Sequence, residues 1–362
     1  MRVEEVGGVT IVEGDAMGSL RLLDDQSVNC CVTSPPYWGL RDYGTAKWEG
    51  GDPACKHQQG RPGAGRADGI VDERAQRNRD GAGAMGGDCA RCGARRIDSQ
   101  LGLEATPQEY ADKMVAVFRE VRRVLRDDGT LWLNLGDSYA ANRSYQVNST
   151  KGGPKHGSGQ AAGGKGSQVP VGYKPKDLIG IPWRVAFALQ ADGWYLRQDL
   201  IWAKPNPMPE SVRDRCTKSH EYIFLLAKSE KYYFDAAAIS EPSVTGDTRI
   251  PYAPGQVDGR GNGHDRGGCS ECTSDSAGTT RNKRSVWTVT TKPYREAHFA
   301  TFPPDLIKPC VLAGCPVGGM VLDPFSGAGT TGLVAQRHGR RAVLLELNSK
   351  YIDMTVARIK AG

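Results

Sequence analysis

Val321-Leu322-Asp323-Pro324-Phe325-Ser326-Gly327-Ala328-Gly329-Thr330-Thr331 reads as a buried strand, a glycine turn and the start of a helix. Glycines at 327 and 329 let the backbone approach a ligand closely. The next apolar run, Ala342-Val343-Leu344-Leu345, ends at Glu346, and an acid at that place can accept both hydroxyls of a ribose. Helical and strand patterns alternate across 303–361, which implies a doubly wound, mostly parallel α/β sheet. A GxG turn taken alone is weak evidence and is also compatible with a structural role. The third glycine of a dinucleotide fingerprint is missing, because Gly332 falls at the wrong offset, and the turn is no phosphate-binding GxxxxGK[ST] loop. A nucleoside cofactor without a pyrophosphate fits better. S-adenosylmethionine is the common one, with Asp323 the nearest carboxylate to match its sulfonium and amino group.

A second strand, Val28 to Val32, runs into Thr33-Ser34-Pro35-Pro36-Tyr37-Trp38, at the carboxyl end where open α/β sheets bind ligands. Two successive prolines lack N–H groups and stiffen the backbone, leaving local carbonyls free to face a substrate. An exocyclic amino nitrogen is a poor nucleophile because its lone pair is delocalised into the ring. The Ser34 hydroxyl and the Pro35 carbonyl can accept its two hydrogens, while Tyr37 can stack on the base. A rigid Pro-Pro turn closing a strand is the plainer alternative.

Between these motifs, Val9-Thr10-Ile11-Val12 is a short buried strand and 16–23 a short helix. Residues 50–98 turn glycine- and arginine-rich with few large apolar side chains, which marks an inserted loop. Thr106, Pro107 and Glu109 form an N-cap, first-turn proline and capping box. The helix they open is expected to stop at Asp127-Asp128-Gly129, before a strand over 130–135. A loop is expected at 141–172, a helix over 177–190 and a strand over 194–202. Residues 221–227 and 232–234 suit a hairpin, and 241–285 are polar and irregular.

The 362 residues, 39% hydrophobic and 24% charged, suit a globular chain with a full core and a smaller accessory region. No stretch approaches the ~20 apolar residues a membrane span needs. The first residues lack a signal-peptide layout, so a cytoplasmic location is expected. A net charge of +6 permits nucleic-acid binding without demanding it.

The order and content of these motifs resemble the amino-methylating DNA methyltransferases, which make N4-methylcytosine or N6-methyladenine. The resemblance spans about 9–45 and 101–361 and rests on Thr33 to Tyr37, Asp323 to Thr330 and Phe302-Pro303-Pro304-Asp305-Leu306. With the catalytic motif first and the cofactor motif last, it is similar to the β arrangement of that family. The resemblance implies Ser34, Pro35, Pro36 and Tyr37 as catalytic residues. Cofactor contacts are implied for Asp15 near the adenine, Phe302 and Pro303 along the methionine, and Asp323, Phe325, Ser326, Gly327, Gly329 and Thr330 at the turn. Glu346 is implied as the ribose acceptor, and 220–224 as a late core strand. Serine at position 34 is more typical of the cytosine enzymes, so cytosine is favoured over adenine.

Residues 1–49 and 99–235 are then expected to form the catalytic half, 236–290 the target-recognition region and 291–362 the cofactor half. A duplex base must be flipped out to reach the cofactor, so double-stranded DNA is the expected partner. Arg281, Lys283, Arg284, Lys292 and Arg295 lie in an acid-free stretch that suits phosphate contact, or else a solvated loop. A cognate restriction endonuclease and a homodimer are left open. Cys55 and His57 with Cys89 and Cys92 offer four ligands for a structural zinc that would staple the insertion. Cys269 and Cys272 near His264 form a weaker candidate, and Cys30, Cys31, Cys310 and Cys315 look like core residues. The rival readings are an RNA or protein-amide methyltransferase and a catalytically silent DNA-binding protein.

Overall fold

The turn at Gly327 and Gly329 joins an inner strand of a nine-stranded sheet to a helix, and both neighbouring strands help to build one cavity. The computed structural model describes residues 2–39, 45–57, 88–89, 91–98, 100–140, 169–170, 172–242, 280–292 and 301–362. Nearly all of 141–172, the interior of the 50–98 insertion, most of 236–290, and Arg295, His264, Cys269 and Cys272 lie outside the described residues.

In chain order the elements are β1 (Val3–Val6), β2 (Val9–Glu13), α1 (Ala16–Leu20), β3 (Val28–Thr33), β4 (Lys47–Glu49), β5 (Arg95–Ile97), α2 (Pro107–Val124) and β6 (Leu125–Leu135). There follow α3 (Ile181–Ala191), β7 (Tyr195–Ala203), β8 (His220–Ala227), β9 (Glu241–Pro242), β10 (Thr280–Arg281) and β11 (Val286–Thr288). The C-terminal part adds α4 (Pro304–Gly314), β12 (Met320–Asp323), α5 (Thr330–Arg337), β13 (Arg341–Glu346) and α6 (Ser349–Lys360).

The main sheet runs β1-β2-β13-β12-β3-β6-β8-β7-β11. From β2 to β6 every neighbour is parallel, whereas β8 is antiparallel to both β6 and β7. Side chains alternate between faces, so a strand covered on both sides reads as a continuous apolar run. In β3, Cys31 packs with α2 and α3, while Cys30 and Val32 pack with α4 and α5. Helices therefore cover both faces, and the doubly wound layout stands with two reversed strands, β8 inside the sheet and β1 at its edge.

Three local expectations are corrected. Helix α2 ends at Val124 rather than at the Asp-Asp-Gly stop, because Leu125 is already extended and pairs with Val28. The helix expected over 177–190 starts only at Ile181, behind a left-handed Gly180 with Pro182 in the first turn. No hairpin joins 221–227 to 232–234: β8 is held between β6 and β7, and the Phe234 ring stacks on Trp132 at 6.2 Å instead. The capping box is made, with Thr106 Oγ accepting from Glu109 N at 3.1 Å and Glu109 reaching back to Ala105 N at 3.1 Å. Cys30, Cys31, Cys310 and Cys315 are buried as expected. No helix among the described residues is long and apolar enough to cross a membrane.

Candidate active site

Strands β2, β13, β12 and β3 point their carboxyl ends at a cavity of about 970 Å³, the edge at which open α/β sheets bind ligands. Among its lining residues are Asp15, Ser34, Pro35, Pro36, Tyr37, Phe302, Phe325, Ser326, Gly327, Thr330 and Glu346. Two motifs nearly 290 residues apart in sequence thus share one space. Pro303, Asp323 and Gly329 do not line it.

At the cofactor end, Glu346 accepts Gly327 N and Asn348 N, each at 2.8 Å, so each carboxylate oxygen keeps acceptor capacity. Gly327 has φ +51 and open space where a Cβ would stand. Gly329 has φ +72 and packs so tightly that a Cβ would fall 2.3 Å from the Thr355 side chain. Asp15 caps α1 by accepting Gly18 N at 2.8 Å, and β2 and β13 are tied by Gly14 N to the Glu346 carbonyl at 2.9 Å. Ser326 Oγ is buried without a hydrogen-bond partner among the described residues, although it belongs to the lining. An orphaned hydroxyl, an open glycine and a carboxylate at the end of the next strand fit a nucleoside cofactor such as S-adenosylmethionine.

Asp323, the carboxylate expected nearest the sulfonium and amino group, is buried beneath the turn and does not line the cavity. Its buried carboxylate accepts Thr33 Oγ and Thr331 Oγ at 2.6 Å each, and Phe325 N at 3.0 Å. Burial still pushes its carboxyl up to about 6, against the pull of those donors. Asp323 joins the two motifs through Thr33 and Thr331.

At the catalytic end, Tyr37 Oη donates to Glu221 Oε2 at 2.8 Å, with Asn134 Oδ1 also within 3.1 Å. Lys204 pairs with the other Glu221 oxygen and lies 4.2 Å from the centre of the Trp202 ring. A carboxylate only accepts, so the Tyr37 proton points away from Ser34. Ser34 Oγ, 3.5 Å from Tyr37 Oη, can then give its own proton to Tyr37 and keep its lone pairs for a substrate amine. The Pro36 carbonyl is taken by Tyr110 Oη at 2.9 Å, whereas no described residue donates to the Pro35 carbonyl. Burial, and next the Glu221 charge, keep Tyr37 un-ionised by raising its pKa well above the ordinary phenol value.

Asn134, Lys204 and Glu221 were missed as site residues by sequence reasoning. For Asn134 and Glu221 the available signal was a polar side chain inside an apolar strand run, in 130–135 and 220–227, since unpaired burial is costly; Lys204, just past a strand, carried none.

The basic stretch is less free than its sequence indicates. Arg281 and Arg284 both bond Glu241, at 3.0 and 2.7 Å, and Lys292 pairs with Asp305 at 2.6 Å. Lys283 Nζ lies 5.3 Å from the Trp287 ring centre, and among the described members of the set only Lys292 lines the cavity.

Cys55, His57, Cys89 and Cys92 converge, with all their ligand atoms within 4.8 Å of one another. Cys55 and Cys89 sulfurs are 3.9 Å apart, close to the roughly 3.8 Å edge of a tetrahedron with 2.3 Å zinc–sulfur bonds. The antiparallel pair β4–β5 carries the cluster, and Trp48 stacks on His57 at 5.1 Å.

Burial raises the Glu346 carboxyl to about 7. Ribose hydroxyls held by Glu346 would donate to the ionised form, so binding would draw the group toward carboxylate and release a proton below that pH. Affinity for S-adenosylmethionine is therefore expected to fall by about tenfold per pH unit below 7 and to level off above it. Calorimetry between pH 6 and 8 reads this, and Glu346→Gln should flatten the curve; a flat wild-type curve contradicts the assignment.

Residues 28–357 match the N6_N4_Mtase family, DNA methylase. The chain is 42% identical over 357 residues to the type II methyltransferase M.Cfr9I of Citrobacter freundii, covering 98% of this chain and 89% of that one. Its fold is similar to the PvuII DNA methyltransferase (cytosine-N4-specific), with TM-score 0.55, 15% identity and 97% and 86% of the two chains covered. A Thermus thermophilus protein assigned as a DNA modification methylase, solved with S-adenosyl-L-methionine, aligns with TM-score 0.51 and 19% identity over 97% and 93%. The chain belongs to the N6/N4 amino-methylating DNA methylase family and is an S-adenosylmethionine-dependent DNA methyltransferase.

Proposed function

We propose that the enzyme methylates N4 of a cytosine flipped out of duplex DNA. One observation carries this reading: Ser34 and Pro35, which carry the two candidate acceptors, line the same cavity as Glu346 and Gly327. Glu346 would hold the ribose, Asp15 would lie near the adenine, and Phe302, Phe325, Ser326 and Thr330 would enclose the remainder. When bound, the cofactor supplies an electrophilic methyl carbon on its sulfonium. Ser34 and Pro35 take the two hydrogens of the exocyclic amine and turn its lone pair out of the ring. Pro36 stiffens that loop, and Tyr37 offers its ring as a platform for the base. The serine at 34 and the cytosine-N4 specificity of the PvuII enzyme favour cytosine; N6 of adenine is the alternative.

Within this reading, 1–49 and 99–235 form the catalytic half, 291–362 the cofactor half, and 236–290 the target-recognition region. Strand β11 ties the end of that last region to the main sheet. Lys283, Lys292 and Arg295 remain candidates for phosphate contact, since exposed pairs such as Lys292–Asp305 exchange easily.

The three thiols and one imidazole would hold a structural zinc, with no open coordination position. One zinc per chain is expected by elemental analysis. Chelation or Cys92→Ser should lower the melting temperature while S-adenosylmethionine still binds; a metal-free chain of equal stability would remove the zinc.

Transfer of a labelled methyl group to duplex DNA, RNA and protein tests the activity. Label on DNA alone is expected, and label on RNA or protein but not DNA would overturn it.

A further inference from the structure

Beside the catalytic motif, the cavity lining also takes in Lys204, Asn206, Pro207 and Met208. Met208 is 84% exposed, the most solvent-accessible large apolar side chain among the described residues. A methionine so exposed is usually incidental on a floppy loop. Here the loop is braced.

Lys204 N donates to the Ser219 carbonyl at 2.8 Å and closes the loop at its base. Asn206 exchanges two hydrogen bonds with Thr291, at 3.2 and 3.0 Å. Further along, Arg215 bonds Glu210 at 2.6 Å while its guanidinium lies 3.9 Å from the Tyr139 ring centre, and Asp214 pairs with Lys176 at 2.6 Å. Prolines at 207 and 209 fix the backbone on either side of the methionine. An apolar side chain is thus held outward, at the rim of a cavity meant for a base.

Extruding a base leaves a gap in the stack, and the stacked state must be disfavoured for the extruded one to last. Methionine is among the apolar wedges that proteins insert between base steps, being unbranched and polarizable. We propose that Met208 enters the duplex at the target step and occupies the space left by the flipped base. The inference rests on the flipped-base reading above. Ser34, Pro35 and Tyr37, which line the same cavity, receive the base, and Met208 keeps it from returning.

The test compares wild type with Met208→Ala on duplexes carrying the target context, once with the target base paired and once with it mismatched. A mismatched base is already easy to extrude. Met208→Ala should lose roughly tenfold or more in kcat/KM on the paired duplex. On the mismatched duplex it should approach wild type, and S-adenosylmethionine affinity should be unchanged. Met208→Leu should restore most of the paired-duplex rate. Equal loss on both duplexes, or no loss on either, overturns the wedge while leaving the methyltransferase reading in place. Failure of the wild type on both DNAs overturns that reading itself.

Discussion

Gly136→Ala is expected to abolish most methyl transfer without unfolding the protein or weakening cofactor binding. Gly136 follows β6, and its backbone lies outside the left-handed region, so alanine is conformationally free there. The obstacle is Tyr37. A Cβ at 136 would fall 2.5 Å from Tyr37 Cε2, so the ring must move. Moving it breaks the bond to Glu221 at 2.8 Å and the hydroxyl orientation that leaves Ser34 as an acceptor. Displacing catalytic groups by an ångström costs on the order of 10²-fold. The cofactor turn does not touch this glycine. Turnover on DNA should therefore drop by about two orders of magnitude or more, with the melting temperature and the dissociation constant for S-adenosylmethionine near wild type. Unchanged turnover would show that Tyr37 is not held as described.

The second large effect is on stability. Asp323→Ala strips three donors, Thr33 Oγ, Thr331 Oγ and Phe325 N, of their shared buried acceptor. Each orphaned donor costs about 1–3 kcal/mol, partly offset because a desolvated carboxylate is also removed. A net loss of about 3 kcal/mol is expected in denaturant unfolding. Asp323→Asn keeps an acceptor, and Thr331 can turn its proton to the Val32 carbonyl at 3.3 Å, so it should be milder. The two variants also differ from wild type in pH dependence. The folded carboxyl titrates near 6 against 3.8 for the free group, so between those values the folded state holds more protons than the unfolded. Wild-type stability should fall as pH rises from about 4 to about 6, and Asp323→Asn should remove that share of the slope. Glu346, raised to about 7, adds a similar slope that persists in the variant.

What the sequence made legible follows from locality. The strand–turn–helix at 321–331, the capping box at Thr106 and the Cys/His spacings are short-range patterns, and each is found in the fold. Reversal of β8 was not legible, because a strand buried on both faces reads alike in either direction. Asp323 was assigned to the ligand since its sequence neighbours flank the turn. Its partners Thr33 and Thr331 come from other elements, and only the folded chain brings them to it. The same reason misled the reading of the basic stretch: no acid occurs near Arg281 and Arg284 in sequence, yet Glu241 reaches both across the β9–β10 pair. Glu221 was read as part of a core strand, and only the fold sets it against Tyr37.

Sequencing the modified bases in DNA from cells that express the protein, beside cells expressing Ser34→Ala, tests the central claim most directly. The account predicts N4-methylcytosine at one fixed sequence context in the first and its loss in the second. N6-methyladenine at a fixed context would move the target base to the alternative reading, and DNA free of new methyl groups would contradict the account.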